Sequence, residues 1–298
     1  MTAGNRISVS LVLGSGGARG LAHIGVIHQL QESGYEIRSI SGCSMGALVG
    51  GIFAAGKLDD FEHWVKAITK VDIMSLLDIA WQKHGLVKGD KIINTLVELV
   101  GDKTIEELPI PYTAVAADVK NEKEIWINSG RLFDAIRASI SLPLFFTPVE
   151  YKNGHLVDGG VLNPVPIAPT FNDDTDLTVA VNLGGPLGNK PKTGKKQQSG
   201  AEDSSTFREK VSRYIDDLQG SIKTRAATDW GVYDIADQAF DAMQSTIARQ
   251  KLAAYPPDVN IEIARNACGT LEFDRADEMI ELGRAKAQES LSHALTDS

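Results

Sequence analysis

Two glycine-rich turns near the start of the chain constrain its fold more than any other feature. The first is Gly14-Ser-Gly-Gly-Ala-Arg-Gly20 and the second is Gly42-Cys-Ser-Met-Gly46. Short apolar runs, Val9–Leu13 and Ile37–Ser41, end just before them and predict strands, and segments with helical spacing follow both turns. Two strand–turn–helix units in succession are typical of an α/β sheet.

The second turn has the G-x-S-x-G pattern of a nucleophile elbow, with Ser44 at its centre. In such an elbow a strained strand-to-helix turn exposes the serine hydroxyl above the sheet, and Gly42 and Gly46 give the bend room. We predict that a helix begins at Met45 and stops at Gly56, because glycine often ends helices. The pattern therefore makes Ser44 a candidate nucleophile.

Further strand patterns alternate with helical patterns and predict an α/β sheet covered by helices on both faces. These strands are predicted at Tyr112–Ala117, Glu124–Ile127, Leu177–Leu183 and Asn260–Ala264. Helical segments are predicted at Ala18–Glu32, at Phe207–Ala254 and from Arg275 onward. Residues 184–206 are rich in Gly, Pro, Lys, Gln and Ser and predict a flexible surface loop. We predict one domain over residues 1–298, with its core motifs in residues 9–183.

The composition excludes several classes of protein. The chain has 298 residues and a net charge of -9 without a basic stripe, so it lacks the positive field that nucleic-acid binding requires. Its two cysteines, Cys43 and Cys268, cannot build a disulfide framework and favour a reducing compartment. We find no signal-peptide pattern and no run of about 20 apolar residues that could span a bilayer. We therefore predict a cytoplasmic protein whose contact with a membrane or micelle is at most peripheral.

Three further blocks complete a pattern with the second turn: Ser139-Ile-Ser-Leu-Pro-Leu-Phe-Phe-Thr-Pro-Val149, Asp158-Gly159-Gly160, and the first turn with its Arg19. With these four motifs in order, the chain resembles the patatin-like phospholipase family. The resemblance is strong over residues 9–183 and weaker over Asp258–Gly283. It implies a three-layer α/β/α patatin-like fold with a mostly parallel central sheet.

The resemblance also implies roles for particular residues. In that family a Ser-Asp dyad replaces the Ser-His-Asp triad, and the matching positions here are Ser44 and Asp158. Its oxyanion loop has the form G-G-G-x-R/K-G, which residues 15–20 match except for a serine at the first glycine. The implied oxyanion or anion-binding loop consists of Gly16, Gly17, Ala18 and Arg19. No metal or cofactor is implied.

The residues alone leave alternatives open for Asp158, for Arg19 and for the partner of Ser44. An aspartate in a turn often bonds nearby backbone, so Asp158 also has a structural interpretation. Arg19 is able to hold a substrate phosphate or to fix the loop by an ion pair. A Ser, acid, His triad would need His155 or His293, but His155 precedes Asp158 in the chain and reverses the expected order.

The predicted function is hydrolysis of a carboxylic ester in a lipid through an acyl-enzyme on Ser44. The resemblance implies a phospholipid or lysophospholipid substrate. Apolar residues that could bind an acyl chain are Leu142, Leu144, Phe145 and Phe146. Residues that could form a lid, or a plain helix, are Trp64, Trp81, Ile73, Met74, Leu76 and Leu77. One alternative is nucleotide binding by the glycine turns, which fits poorly because no Lys-Ser or Lys-Thr follows Gly20. The other alternative is a catalytically weak regulatory or lipid-binding protein.

Overall fold

A mixed sheet with a parallel centre organises the part of the chain that the structure describes. A computed structural model describes residues 6–76, 87–152, 154–188 and 232–296. Its strands are β1 Ser8–Leu13, β2 Glu36–Cys43, β3 Tyr112–Asp118, β4 Lys123–Ile127, β5 Val149–Tyr151, β6 Gly154–Asp158, β7 Leu177–Gly185 and β8 Val259–Ala264. Their order is β5-β6-β3-β2-β1-β7-β8, with β4 also paired to β3. The strands β3, β2, β1, β7 and β8 are parallel, and β4, β5 and β6 join by antiparallel pairing.

Helices cover both faces of this sheet, as the sequence predicted. They are α1 Ala22–Glu32, α2 Met45–Ala54, α3 Leu58–Ala67, α4 Lys70–Leu76, α5 Asp90–Val100, α6 Leu132–Ser139, α7 Val232–Ala254 and α8 Ala276–Thr296. Side chains alternate across a strand, so neighbouring residues of β1 enter different cores. Leu11 and Leu13 pack in the larger cluster with residues of α1, α2 and α8, whereas Val12 packs with Ala248 of α7. The three-layer α/β/α arrangement is confirmed.

The sheet register brings the two glycine turns together. Leu13, the last residue of β1, lies opposite Gly42 near the end of β2, and both strands run in the same direction. Cys43 of β2 lies opposite Val115 of β3, and β6 pairs with β3 so that Asp158 ends beside Ala116. The two turns and the end of β6 therefore lie together at the C-terminal ends of the parallel strands, where α/β proteins with parallel sheets bind ligands.

Most predicted elements agree with the structure, although several strand ends differ by one or two residues, as at β2, which extends to Cys43. The strand predictions, the helix that starts at Met45 and the stop at Gly56, which has φ 73°, are confirmed. Residues Gly17–Leu21 form a 3-10 turn, so α1 begins at Ala22 and not at Ala18. β7 continues to Gly185, past the predicted start of the surface loop, because its last residue pairs with Ala264 of β8.

Several predicted segments lie partly outside the described residues. These are 189–206 of the predicted loop and 207–231 of the predicted helical stretch, whereas α7 accounts for Val232–Ala254. Among the described helices, none has the length and apolar character needed to cross a bilayer. The single domain and the cytoplasmic location stay predictions.

Candidate active site

Ser44 lies in a strained turn between β2 and α2. Its backbone has φ 56° and ψ -123°, a conformation that residues other than glycine rarely adopt. A Cβ atom added to Gly46 would lie 2.0 Å from the Leu13 carbonyl oxygen, and one added to Gly42 would lie 2.5 Å from the Gly46 carbonyl oxygen. The Ser44 N–H donates to Oγ of Ser139 at 2.9 Å, which fixes the strained turn. The local geometry is that of a nucleophile elbow.

The Ser44 hydroxyl donates to a carboxylate oxygen of Asp158. Its Oγ lies 2.5 Å from Oδ2, and the other oxygen, Oδ1, accepts from the Gly160 N–H at 2.7 Å. Ser44 is 7% exposed and Asp158 is 1% exposed. Both oxygens of a buried carboxylate are thus hydrogen-bonded, as a buried acceptor requires. The structure brings together the two residues that the sequence predicted as a pair.

Burial changes the acidity of the groups around this pair. Desolvation raises the pKa of Asp158 from 3.8 to about 6, although the hydrogen bonds from Ser44 and Gly160 act in the opposite direction. Cys43 places its Sγ 3.9 Å from Oδ1 of Asp158. Burial, with a smaller contribution from the Asp158 charge, raises the pKa of the Cys43 thiol well above its ordinary value. The thiol is therefore protonated at neutral pH and is a poor nucleophile.

No histidine of the described part of the chain is hydrogen-bonded to Ser44. His155 is exposed on β6, three positions before Asp158, so it faces away from that residue. The side chain of His293 lies outside the described residues. His23 is fully buried with Nε2 2.8 Å from the Gly14 carbonyl oxygen, and burial lowers its pKa to about 4. These positions give the Ser, acid, His interpretation no support.

The glycine-rich loop leaves two of its N–H groups without an acceptor in the described residues. Three of its other N–H groups donate to carbonyl oxygens elsewhere in the chain: Gly14 to Val181 at 3.0 Å, Ser15 to Pro164 at 2.8 Å, and Ala18 to Thr270 at 2.8 Å. The N–H groups of Gly16 and Gly17 have no such partner there. Met45, the first residue of α2, likewise lacks an intrahelical acceptor. Gly17, Ser44 and Met45 line one cavity, and Gly16 adjoins Gly17, so Gly16, Gly17 and Met45 are candidate oxyanion donors, whereas the Ala18 N–H is already bonded to Thr270.

Arg19 fixes this loop and does not line the cavity. Its Nε donates to the Gly16 carbonyl oxygen at 3.0 Å, and its NH1 group donates to the Arg265 carbonyl oxygen. The guanidinium also makes a two-point ion pair with Asp241 of α7, at 2.7 Å and 3.2 Å. With these donors engaged and only 3% of the residue exposed, the contacts favour the loop-fixing interpretation over phosphate binding.

Ser44 lines an apolar cavity of about 140 Å³. Of the residues predicted to bind an acyl chain, Leu142, Phe145 and Phe146 line it, but Leu144 is 68% exposed and does not. Of the residues predicted as a lid or plain helix, Trp64, Ile73 and Leu76 line the cavity from α3 and α4, and Trp81 and Leu77 lie outside the described residues. No charged side chain of the described residues lines the cavity, so it suits a hydrocarbon chain.

Sequence reasoning missed the partners that hold the loop from the far end of the chain. Asp241, Gln244 and Thr270 all bond to the loop, yet they lie more than 200 residues after it in the sequence. An aspartate and a glutamine in an amphipathic helix carry no local signal for such contacts.

Comparison with known proteins finds one family and related chains. The family model for patatin-like phospholipase matches residues 11–171. An uncharacterized NTE family protein of Mycobacterium tuberculosis is 39% identical over 95% of this chain and 91% of its own length. The neuropathy target esterase sws of Drosophila melanogaster is 33% identical over 59% of this chain and 13% of its own length. The crystal structure of VipD from Legionella pneumophila covers 97% of this chain and 67% of that chain with 15% identity and a TM-score of 0.48.

Proposed function

Because the chain belongs to the patatin-like phospholipase family, we propose that it is a serine lipid acyl hydrolase that uses Ser44 and Asp158 as a catalytic dyad. The family implies a lipid ester hydrolase. The observation that carries the finer proposal is the 2.5 Å hydrogen bond between Asp158 Oδ2 and the Oγ of Ser44, a residue that lines an apolar cavity.

The proposed reaction begins with attack of Ser44 Oγ on the ester carbonyl carbon. The hydroxyl proton passes to Oδ2 of Asp158, and the carbonyl oxygen becomes an oxyanion. The N–H groups of Gly16, Gly17 and Met45 are the donors for that oxyanion. Collapse of the tetrahedral intermediate expels the alcohol, which takes the proton from Asp158. Water then attacks the acyl-enzyme by the same route and releases the carboxylic acid.

The buried environment of Asp158 supports its role as the base. A free aspartate, with a pKa near ~3.9, accepts a proton poorly at neutral pH. Burial raises the pKa of Asp158 to about 6, which brings the group closer to the operating pH while leaving it ionised there. The short hydrogen bond to Ser44 also supports the proposal, because 2.5 Å between Oγ and Oδ2 is within reach for proton transfer.

The cavity favours esters with an apolar acyl chain. Its lining beyond Ser44 comprises aliphatic and aromatic side chains together with Gly17 and Thr270. A headgroup finds no charged partner among these lining residues, so specificity for the acyl chain is expected to exceed specificity for the headgroup. We infer that contact with a membrane or micelle is peripheral and delivers such substrates.

A fluorophosphonate probe tests the nucleophile. We expect mass spectrometry to find the label on Ser44 of the wild-type protein, with no label in Ser44→Ala and slow labelling in Asp158→Asn. Ser8→Ala is a matched control, because Ser8 Oγ also donates to an aspartate, Asp176 Oδ2, at 2.6 Å but lies in a regular strand. Labelling of another residue, or none in a folded wild-type protein, would favour the catalytically weak regulatory or lipid-binding alternative.

A substrate panel tests the chemistry. We expect the wild-type protein to hydrolyse p-nitrophenyl esters and either lysophospholipids or intact phospholipids, and Ser44→Ala to hydrolyse none of them. Release of the free fatty acid, measured with acyl-labelled lipids, separates acyl hydrolysis from cleavage at the phosphate. Phosphate-side products would contradict the proposal.

A further inference from the structure

We propose that Asp241 and Gln244 of helix α7 are positioning residues for this reaction, acting through the glycine-rich loop. The proposal rests on the proposed function. Helix α7 lies beyond residue 171, where the match to the family model ends. The reaction would then depend on a part of the chain that the family model does not cover.

The first step concerns the peptide between Gly16 and Gly17. The N–H and C=O groups of a trans peptide point in opposite directions, and the described residues contain no cis bond. Arg19 Nε holds the Gly16 carbonyl oxygen at 3.0 Å, so the Gly17 N–H points away from Arg19. Gly17 lines the Ser44 cavity and Arg19 does not. The hydrogen bond from Arg19 to the Gly16 carbonyl oxygen therefore directs the Gly17 N–H toward the cavity that Ser44 lines.

The second step concerns what holds Arg19 in place. Asp241 binds both terminal nitrogens of the guanidinium, and this two-point contact fixes its plane as well as its position. Arg19 is 3% exposed, so without Asp241 a buried positive charge would lose its counterion and seek water. The orientation of the Gly17 N–H thus depends on the carboxylate of Asp241, which is 222 positions from Arg19 in the sequence.

Gln244 adds a second contact from the same face of α7. It lies three positions after Asp241, and such residues are neighbours on a helix surface. Its Nε2 donates to Oγ of Ser15 at 3.0 Å. The same Nε2 would lie 2.0 Å from a Cβ atom added to Gly160, whose N–H holds Oδ1 of Asp158. One helix face therefore contacts both the candidate oxyanion loop and the turn that holds the base.

Neither residue is placed to touch substrate. Asp241 and Gln244 line a small separate pocket with Ser15 and Arg19, and Ser44 is not among its lining residues. Their effect on the reaction must therefore pass through the loop, which makes them positioning residues and not catalytic ones.

The matched test compares Asp241→Asn with Asp102→Asn. Asp102 forms a two-point pair of the same chemistry with Arg131, at 3.0 Å and 3.3 Å, but both partners are more than half exposed and neither bonds to the loop. We expect Asp241→Asn to lower kcat for p-nitrophenyl esters about 10- to 100-fold, since removing an oxyanion donor outright costs about 10²- to 10³-fold. We expect KM to change less than about threefold, because the acyl cavity is untouched. Asp102→Asn should match the wild type.

A second readout separates positioning from a general loss of structure. An alkyl trifluoromethyl ketone forms a tetrahedral adduct with Ser44 that carries an oxyanion, whereas a fatty acid of equal chain length occupies only the cavity. In Asp241→Asn the inhibition constant of the ketone should rise by the same factor as kcat/KM falls, and that of the fatty acid should stay constant. Gln244→Met should show the same pattern with a smaller change. If both inhibitors weaken equally, the role is structural and the proposal is wrong.

The remaining outcomes assign failure to one proposal or the other. Wild-type hydrolysis that survives Ser44→Ala, or a folded wild-type protein without activity or labelling, contradicts the proposed function. Hydrolysis that depends on Ser44 but is equal in Asp241→Asn and the wild type contradicts only the positioning role. If Asp241→Asn does not fold, Asp241→Glu is the second variant, because it keeps the charge and shifts the contact with the Arg19 guanidinium. Full activity of that folded variant, together with unchanged ketone binding, would overturn the inference.

Discussion

The hydroxyl of Ser44 donates to Oδ2 of Asp158 across 2.5 Å, although the two residues are 114 positions apart in the sequence. The strained turn at the end of β2 supplies one partner and the end of β6 supplies the other. Between these strands lies β3, which pairs with both, so the sheet itself sets the separation of the two side chains. The proton donor and acceptor are consequently fixed before any substrate arrives.

The ionisation of Asp158 predicts a pH profile for the reaction. In the proposed reaction only the carboxylate form of Asp158 accepts the Ser44 proton, and burial raises the pKa of Asp158 to about 6. We expect kcat/KM to be constant above that pH and to fall about tenfold per pH unit well below it. Initial rates on a p-nitrophenyl ester, with circular dichroism to show that the protein stays folded, measure this profile. Activity that is constant down to pH 4.5 would contradict the raised pKa of Asp158, because a carboxyl with its ordinary pKa of 3.8 stays mostly ionised at that pH.

The same pKa shift predicts that Asp158→Asn stabilises the protein at neutral pH. The native pKa is raised from 3.8 to about 6, so over that window the native state binds more protons and stability falls as pH rises. Each pKa unit corresponds to about 1.4 kcal/mol, so the full cost above the window is roughly 2–3 kcal/mol. Asp158→Asn should therefore unfold at a higher temperature than the wild type at pH 7.5, and the gain should vanish below pH 3.8.

A control of opposite sign is available for that measurement. Hydrogen bonds from the Ser8 side chain and backbone lower the pKa of Asp176. That carboxylate contributes stability above its unfolded pKa, and the contribution is lost as pH falls through its native pKa. Asp176→Asn should therefore lower the unfolding temperature at pH 7.5. An equal change in both variants would contradict the assigned cause.

The parts of the fold that depend on local chemistry were predictable from the sequence. The elbow at Ser44 needs glycine at positions 42 and 46 because neighbouring backbone approaches both. The five-residue pattern G-x-S-x-G contains both glycines, so it predicts the elbow. The buried parallel strands are short apolar runs, which the pattern of β1 and β7 displays directly. Family resemblance then supplied Asp158, whose turn by itself also fits a structural role.

What could not be predicted depends on contacts between distant segments. β5 and β6 were not predicted, because a three-residue strand such as Val149–Tyr151 has no clear periodicity. The start of α1 was misplaced because the Ala18 N–H bonds to Thr270, far along the chain, and not within a helix. Arg19 had two equal interpretations until Asp241 was placed beside it. The spacing of residues along a sequence does not predict such contacts between distant segments.

The elbow predicts a severe effect for Gly46→Ala. The added Cβ atom would lie 2.0 Å from the Leu13 carbonyl oxygen, and neither backbone segment is free to move because β1 pairs on both sides. We expect a loss of more than about 3 kcal/mol of stability, or no soluble protein, in a denaturant or thermal unfolding experiment. Gly154→Ala is the control, since its added Cβ would meet no atom closer than 3.9 Å. A normal Gly46→Ala protein would contradict the described turn.

If the apolar cavity binds the acyl chain as proposed, a single substitution on α5 should shorten the acyl chain of the esters that are hydrolysed. Ile92 lines the cavity and Ile93 beside it does not, although both are partly buried. Ile92→Trp should exclude two or three methylene groups, each worth about 0.8 kcal/mol when buried, and so reduce kcat/KM for p-nitrophenyl octanoate roughly thirtyfold. The acetate ester has no such methylene groups to lose and should be hydrolysed normally. Ile93→Trp should leave the ratio of octanoate to acetate turnover unchanged, and an equal fall of that ratio in both variants would place the acyl chain elsewhere.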